Sequence, residues 1–103
     1  MDKQILKSLV ISALKTIHDP EIPVNIYDMG LIYEIKVNDD NSVYIKMTVT
    51  APNCPVADSL PEEVRERVKS IEGLKDAEIE LVFDPPWDSD MISEEAKLEL
   101  GLL

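Results

Sequence analysis

The chain has 103 residues, of which 45% are hydrophobic and 30% charged, and its 21 acidic and 10 basic side chains leave a net charge of −11. That length supports one core and one domain spanning 1–103, and the acidic balance argues against nucleic acid and anionic membrane surfaces, which are bound through basic patches. No apolar run approaches the roughly 18 residues of a membrane span, the opening MDKQILKSLVISAL lacks a signal-peptide core, and the single cysteine makes no internal disulfide, so a cytoplasmic location is expected.

From Lys3 to His18 the residues Ile5, Leu6, Leu9, Val10, Ala13, Leu14 and Ile17 recur at helical spacing, with Asp2 standing where an N-cap belongs. Pro20 and Pro23 then stop the helix, because proline biases its predecessor away from helical angles, and DPEIPVN reads as a rigid, extended loop. YEIKV and VYIKMTV alternate apolar and polar residues around the turn-forming NDDNS, which predicts a β-hairpin. Tyr33, Ile35, Val37, Val43, Ile45, Met47 and Val49 are expected to face inward, with Lys36, Lys46, Thr48 and Thr50 on the other face. A second helix carries Val64, Val68 and Ile71 on one side and ends near Gly73. A third strand, AEIELVF, points Ile79, Leu81 and Phe83 inward. DPPWDSD is irregular, and SEEAKLEL begins a last short helix capped by Ser93. The order α-β-β-α-β-α predicts a small α+β domain, a three-stranded sheet with helices on one face and a polar, water-facing side on the other. The pattern leaves open whether the third strand pairs beside the first or the second, and it predicts a right-handed β-α-β crossover.

Cys54 is the only cysteine and precedes Pro55, a residue type favoured at the first position of a helix. At such a cap the helix dipole and free N–H groups stabilise a thiolate, which makes it a better nucleophile or metal ligand. SLPE, Ser59 to Glu62, is itself a capping-box pattern, and a helix beginning there leaves Cys54 in a loop with less of that effect. The spacing of Val56, Leu60, Val64 and Val68 favours one continuous, kinked helix. The residues alone leave Cys54 open as an inert buried hydrophobe or as a working thiol.

Asp19 and Glu21 flank Pro20. Acidic residues and prolines are ordinary in loops, yet a proline-locked loop presenting two carboxylates also suits iron, which accepts mixed oxygen and sulfur ligands. Asp28 reads as a brace of the DMGL turn, and Gly30 as the residue that supplies a backbone angle others resist. His18, the only histidine, makes with Cys54 the one Cys–His dyad the chain offers; its place at a helix C-terminus equally suits a simple dipole partner. A closed zinc site takes four cysteine or histidine ligands, and the chain has two such residues. Trp87 follows Pro85 and Pro86, and either packs over the edge of the core or belongs to an interaction surface. From Asp84 to Leu103 six acidic residues meet Lys97 alone, a net of −5, which is either a solvated tail or a means of steering toward a basic partner. No glycine-rich phosphate loop is present, so any ATPase involved is a separate protein.

Three segments, DPEIPVNIYDMGLIYEI, TVTAPNCPVAD and FDPPWDSDMISEEAK, closely resemble the MIP18 family, also called the DUF59 or SufT-like family. Its hallmarks stand here in order as Asp19-Pro20-Glu21, Asp28-Met29-Gly30-Leu31, Thr48 through Thr50 to Cys54-Pro55, and Pro85-Pro86-Trp87, covering essentially the whole chain. The resemblance implies an iron–sulfur-assembly-like fold. It also implies a non-enzymatic role in maturing iron–sulfur proteins, helping to deliver or insert clusters into client apoproteins. Carried over by position, Cys54 is the reactive or transiently ligating thiol, with Asp19, Glu21, Thr50 and Pro55 around it and Pro85, Pro86 and Trp87 forming part of a surface. PaaD-like relatives carry a further cysteine-rich C-terminal segment that these 103 residues lack, so the stand-alone SufT-like branch is expected. A cluster ordinarily takes about four thiolate or equivalent ligands, so one cysteine implies no tightly bound cofactor but a transient cluster or iron, shared with a second copy or completed by a partner. The implied partners are the assembly machinery, client apoproteins and a separate ATPase. Two alternatives stand beside this reading: a metal-free adaptor that docks clients through the Pro85-Pro86-Trp87 surface, and a thiol enzyme using Cys54 and His18.

Overall fold

A computed structural model of the chain describes residues 2–18, 24–49 and 56–101. The elements follow as α1 (Lys3–Leu14), β1 (Ile32–Val37), β2 (Ser42–Met47), α2 (Val56–Lys69), β3 (Asp76–Leu81), one 3-10 turn (Ser89–Met91) and α3 (Glu94–Leu100). The sheet order is β1-β2-β3, with β1 antiparallel and β3 parallel to β2. The third strand therefore pairs beside the second. The hairpin turn is local chemistry: Asn41 takes a φ of 68° that asparagine tolerates, and Asp40 Oδ1 accepts from the Ser42 amide at 3.0 Å. A parallel partner needs a long connection, which α2 supplies.

β2 is the central strand, and its inward residues Val43, Ile45 and Met47 are buried in one cluster with Val10 and Leu14 of α1 and Leu60, Val64 and Val68 of α2. The opposite face carries Glu34, Lys36, Tyr44, Lys46, Glu78 and Glu80, none of them buried. There the Tyr44 hydroxyl donates to Glu80, and this hydrogen bond is the largest cause that pushes the phenol up to about 12.

α1 is capped as expected, with Asp2 Oδ1 accepting from the Gln4 amide at 2.6 Å. It stops at Leu14, four residues before His18, because Thr16 and Ile17 turn back to the carbonyls of Ala13 and Leu14 in tighter i→i+3 bonds. Its buried stripe is also narrower than the apolar pattern, since Ile5 and Leu9 face solvent. α2 begins at Val56 and runs through Pro61 as one helix. Ser93 Oγ accepts from the Ala96 amide at 3.2 Å to start α3, and Gly101 ends that helix at a φ of 76°. Ser93→Ala should lower stability by about 1 kcal/mol, read from the urea midpoint at unchanged slope.

The alternation fails at the strand ends. A bulge between Ile32 and Glu34 sets Ile32 opposite Met47, so Ile32 takes the inward place and Tyr33 does not join the core. Thr48, expected on the open face, is 1% exposed: β2 has already ended, and the Thr48 amide donates to the Leu31 carbonyl at 2.8 Å. Phe83, expected inside, is 49% exposed, because the last sheet bond runs from the Val82 amide to the Met47 carbonyl and the chain then leaves the sheet.

Candidate functional site

Asp19, Glu21, Thr50, Cys54 and Pro55 lie outside the described residues, and what the structure defines is the frame that carries them. His18 and Asn25 form an isolated antiparallel bridge, and the Ile26 amide donates to Ile17 O at 2.9 Å, which joins the two flanks of residues 19–23. The next rungs are Leu31 N to Ile26 O at 3.2 Å and Thr48 N to Leu31 O at 2.8 Å. Thr48 and Val49 lead directly into residues 50–55. Three backbone hydrogen bonds in series thus tie the stem of the Asp-Pro-Glu segment to the stem of the Cys-Pro segment. On its far side the Cys-Pro segment enters α2 at Val56, where the first N–H groups of a helix have no intrahelical partner and carry partial positive charge.

Between these stems lies the DMGL turn. Asn25 Oδ1 accepts from the Asp28 amide at 2.9 Å, Asn25 Nδ2 donates to Asp28 Oδ2 at 2.8 Å, and the Asp28 carbonyl accepts from the Ser93 amide at 2.8 Å. Asp28 is a brace, and its partner Asn25 is a residue the sequence alone did not single out. Gly30 sits at a φ of +80° with the Met91 backbone directly against it. Trp87 is half-buried against the core, and its indole N–H donates to the Met29 carbonyl at 2.7 Å. The segment from Asp84 to Met91 is therefore a strap laid over the turn, with Trp87 as its inner peg and Pro85 and Pro86 exposed.

Tyr33 supplies a second clamp. Freed from the core by the bulge, its hydroxyl donates to the Pro85 carbonyl at 2.7 Å and lies 3.7 Å from Met91 Sδ. Burial pushes this phenol above its ordinary value, the Thr48 hydroxyl pulls the other way, and the Asp84 charge adds to the rise, so Tyr33 remains a protonated donor at neutral pH. Trp87→Phe keeps an aromatic side chain but replaces the indole with a smaller phenyl ring and leaves the Met29 carbonyl without this donor, and should cost at least about 1 kcal/mol in denaturant unfolding.

His18 is exposed at the base of the 19–23 segment, and its pairing with Cys54 lies outside the described residues. Among the described residues no three His, Cys, Asp or Glu side chains are grouped to hold a metal ion.

A family model described as "Iron-sulfur cluster assembly protein" matches residues 7–81. The chain is 54% identical over 94 residues to an Fe-S protein maturation auxiliary factor of Porphyromonas gingivalis, covering 91% of this chain and 90% of that protein. It is 35% identical over 100 residues to the Fe-S protein maturation auxiliary factor YitW of Bacillus subtilis, covering 97% and 98%. A solved DUF59 domain from Bacillus anthracis matches with a TM-score of 0.87 at 28% identity, over 97% of this chain and 95% of that one.

Proposed function

The chain belongs to the iron–sulfur cluster assembly protein family, and from that premise we propose that it is an accessory factor in iron–sulfur protein maturation, helping to deliver or insert clusters into client apoproteins. Cys54 is the thiol that transiently holds or hands on the cargo, with Asp19, Glu21 and Thr50 in support. The observation that supports this most is the shared base of the two segments: Ile17, Ile26, Leu31 and Thr48 form one hydrogen-bonded ladder from which both the carboxylate segment and the cysteine segment depart.

The chemistry follows from the donor set. A thiolate is the ligating form of cysteine, so cargo binding releases the thiol proton, and the Asp19 and Glu21 carboxylates are of a type suited to receive it or to offer an oxygen to iron. One cysteine supplies one of about four ligands. The remainder come from the client, a small thiol or a second copy, and a site so incomplete releases its cargo readily. The chain is a carrier rather than a catalyst; it works in the cytoplasm with the assembly machinery, and nucleotide hydrolysis belongs to a partner ATPase.

In cells lacking the chain, wild-type protein should restore the activity of a cluster-dependent enzyme, and Cys54→Ala expressed at the same level should not. Full restoration by Cys54→Ala would discard the thiol role and leave a metal-free adaptor.

A further inference from the structure

We propose that the segment from Phe83 to Met91, with its exposed apolar residues Phe83, Pro85 and Met91, is a docking site for a protein partner that presents an apolar side chain ringed by lysine or arginine. Phe83 is 49% and Met91 36% exposed, although both are large apolar residues. The Tyr33 hydroxyl reaches both the Pro85 carbonyl and Met91 Sδ, which holds the two ends of the strap together, and Phe83 is two residues from Pro85. The patch is backed rather than loose. Trp87 pegs the strap to Met29, the Ser93 amide ties its end to Asp28, and Gly30 lets the Met91 backbone lie against the turn. A surface already held in one shape loses little freedom on binding.

The rim decides the occupant. Asp84, Asp88 and Asp90 are exposed in the same segment as these apolar side chains, and the sequence from Phe83 to Ala96 contains no lysine or arginine. A second copy docked isologously would set this acidic rim against itself, with a net charge of −11 on each chain. Phosphate-bearing surfaces are repelled by the same charge. A basic-rimmed protein surface with an apolar centre satisfies both parts of the patch. The inference rests on the maturation reading only in taking that partner to be a client or assembly component; the binding itself does not involve Cys54.

The test uses the full chain, isotope-labelled for amide spectra, and a synthetic amphipathic helix with a leucine–tryptophan stripe flanked by lysines. At low salt the peptide should shift the amides of residues 83–91 and the Trp87 indole. Phe83→Ser, exposed and outside the core, should weaken binding by about tenfold or more. Asp90→Lys should weaken it several-fold, a difference that shrinks as salt screens the rim. Cys54→Ala should bind as the wild type does, so a failure of the thiol role and a failure of this surface are distinguishable. Unchanged affinity in both Phe83→Ser and Met91→Ser would overturn the proposal. So would shifts centred on Glu78 and Glu80 of the open sheet face, or equal binding by a peptide with glutamates in place of the lysines.

Discussion

Gly30→Ala should destabilise the protein by about 3 kcal/mol, far more than a methyl group ordinarily costs. Two causes add. A residue with a Cβ pays about 1–2 kcal/mol to adopt left-handed angles, and Gly30 has a φ of +80°. The new Cβ would also lie 2.3 Å from the Met91 carbonyl oxygen and 2.9 Å from the Met91 carbonyl carbon. Those are backbone atoms, not the tip of a flexible side chain, so either the DMGL turn or the strap must move, at a further cost of about 1–3 kcal/mol. The displacement weakens the Trp87–Met29 and Tyr33–Pro85 hydrogen bonds that hold the strap. Urea unfolding of Gly30→Ala, Trp87→Phe and the double variant reads this directly: the Trp87 change should cost less in the Gly30→Ala background, because its hydrogen bond is already strained. A loss within about 0.5 kcal/mol, the range of an ordinary surface substitution, would mean that the strap is not packed on the turn.

Much of the architecture is legible because it is periodic. Leu6, Val10 and Leu14 repeat every four residues and Val43, Ile45 and Met47 every two, and each set is buried as one face. The strand order is not written locally; β3 reaches β2 only because α2 carries the chain back, and both candidate neighbours offer the same apolar alternation. The misplaced residues, Tyr33, Thr48 and Phe83, all sit where a strand has bulged or ended, and alternation holds no information about where it stops. In the candidate site, Asp28 and Gly30 are readable as turn residues because the Asp28 side chain bonds to Asn25 and the Gly30 φ of +80° is a local angle; their contacts with Ser93 and Met91 are not. Tyr33 and the inner peg of Trp87 are not, since their partners lie 52 and 58 residues away. Cys54, Asp19 and Glu21 come from motif and resemblance, and what the structure adds is the ladder that joins their stems.

The second large effect concerns Cys54. Replacing it with alanine removes the chain's only thiol, and loss of a metal-site ligand or its support commonly costs ten- to a hundred-fold in affinity. Transfer of a cluster to an apo-client should therefore fall by at least about tenfold. Cys54→Ser should fail nearly as badly, although serine is close in size, because a protonated hydroxyl does not replace a thiolate toward iron. That pairing separates thiol chemistry from packing: a buried filler would tolerate serine and alanine differently, whereas a ligand tolerates neither.

The most direct measurement is anaerobic transfer. Wild-type, Cys54→Ser and Cys54→Ala proteins, each shown to be folded by circular dichroism, are reconstituted with iron and sulfide and followed by absorbance while an apo-client is added. A chromophore that forms on the wild type alone and passes to the client is the expected result. A chromophore of equal yield and equal transfer on all three proteins would contradict Cys54 as the carrier thiol.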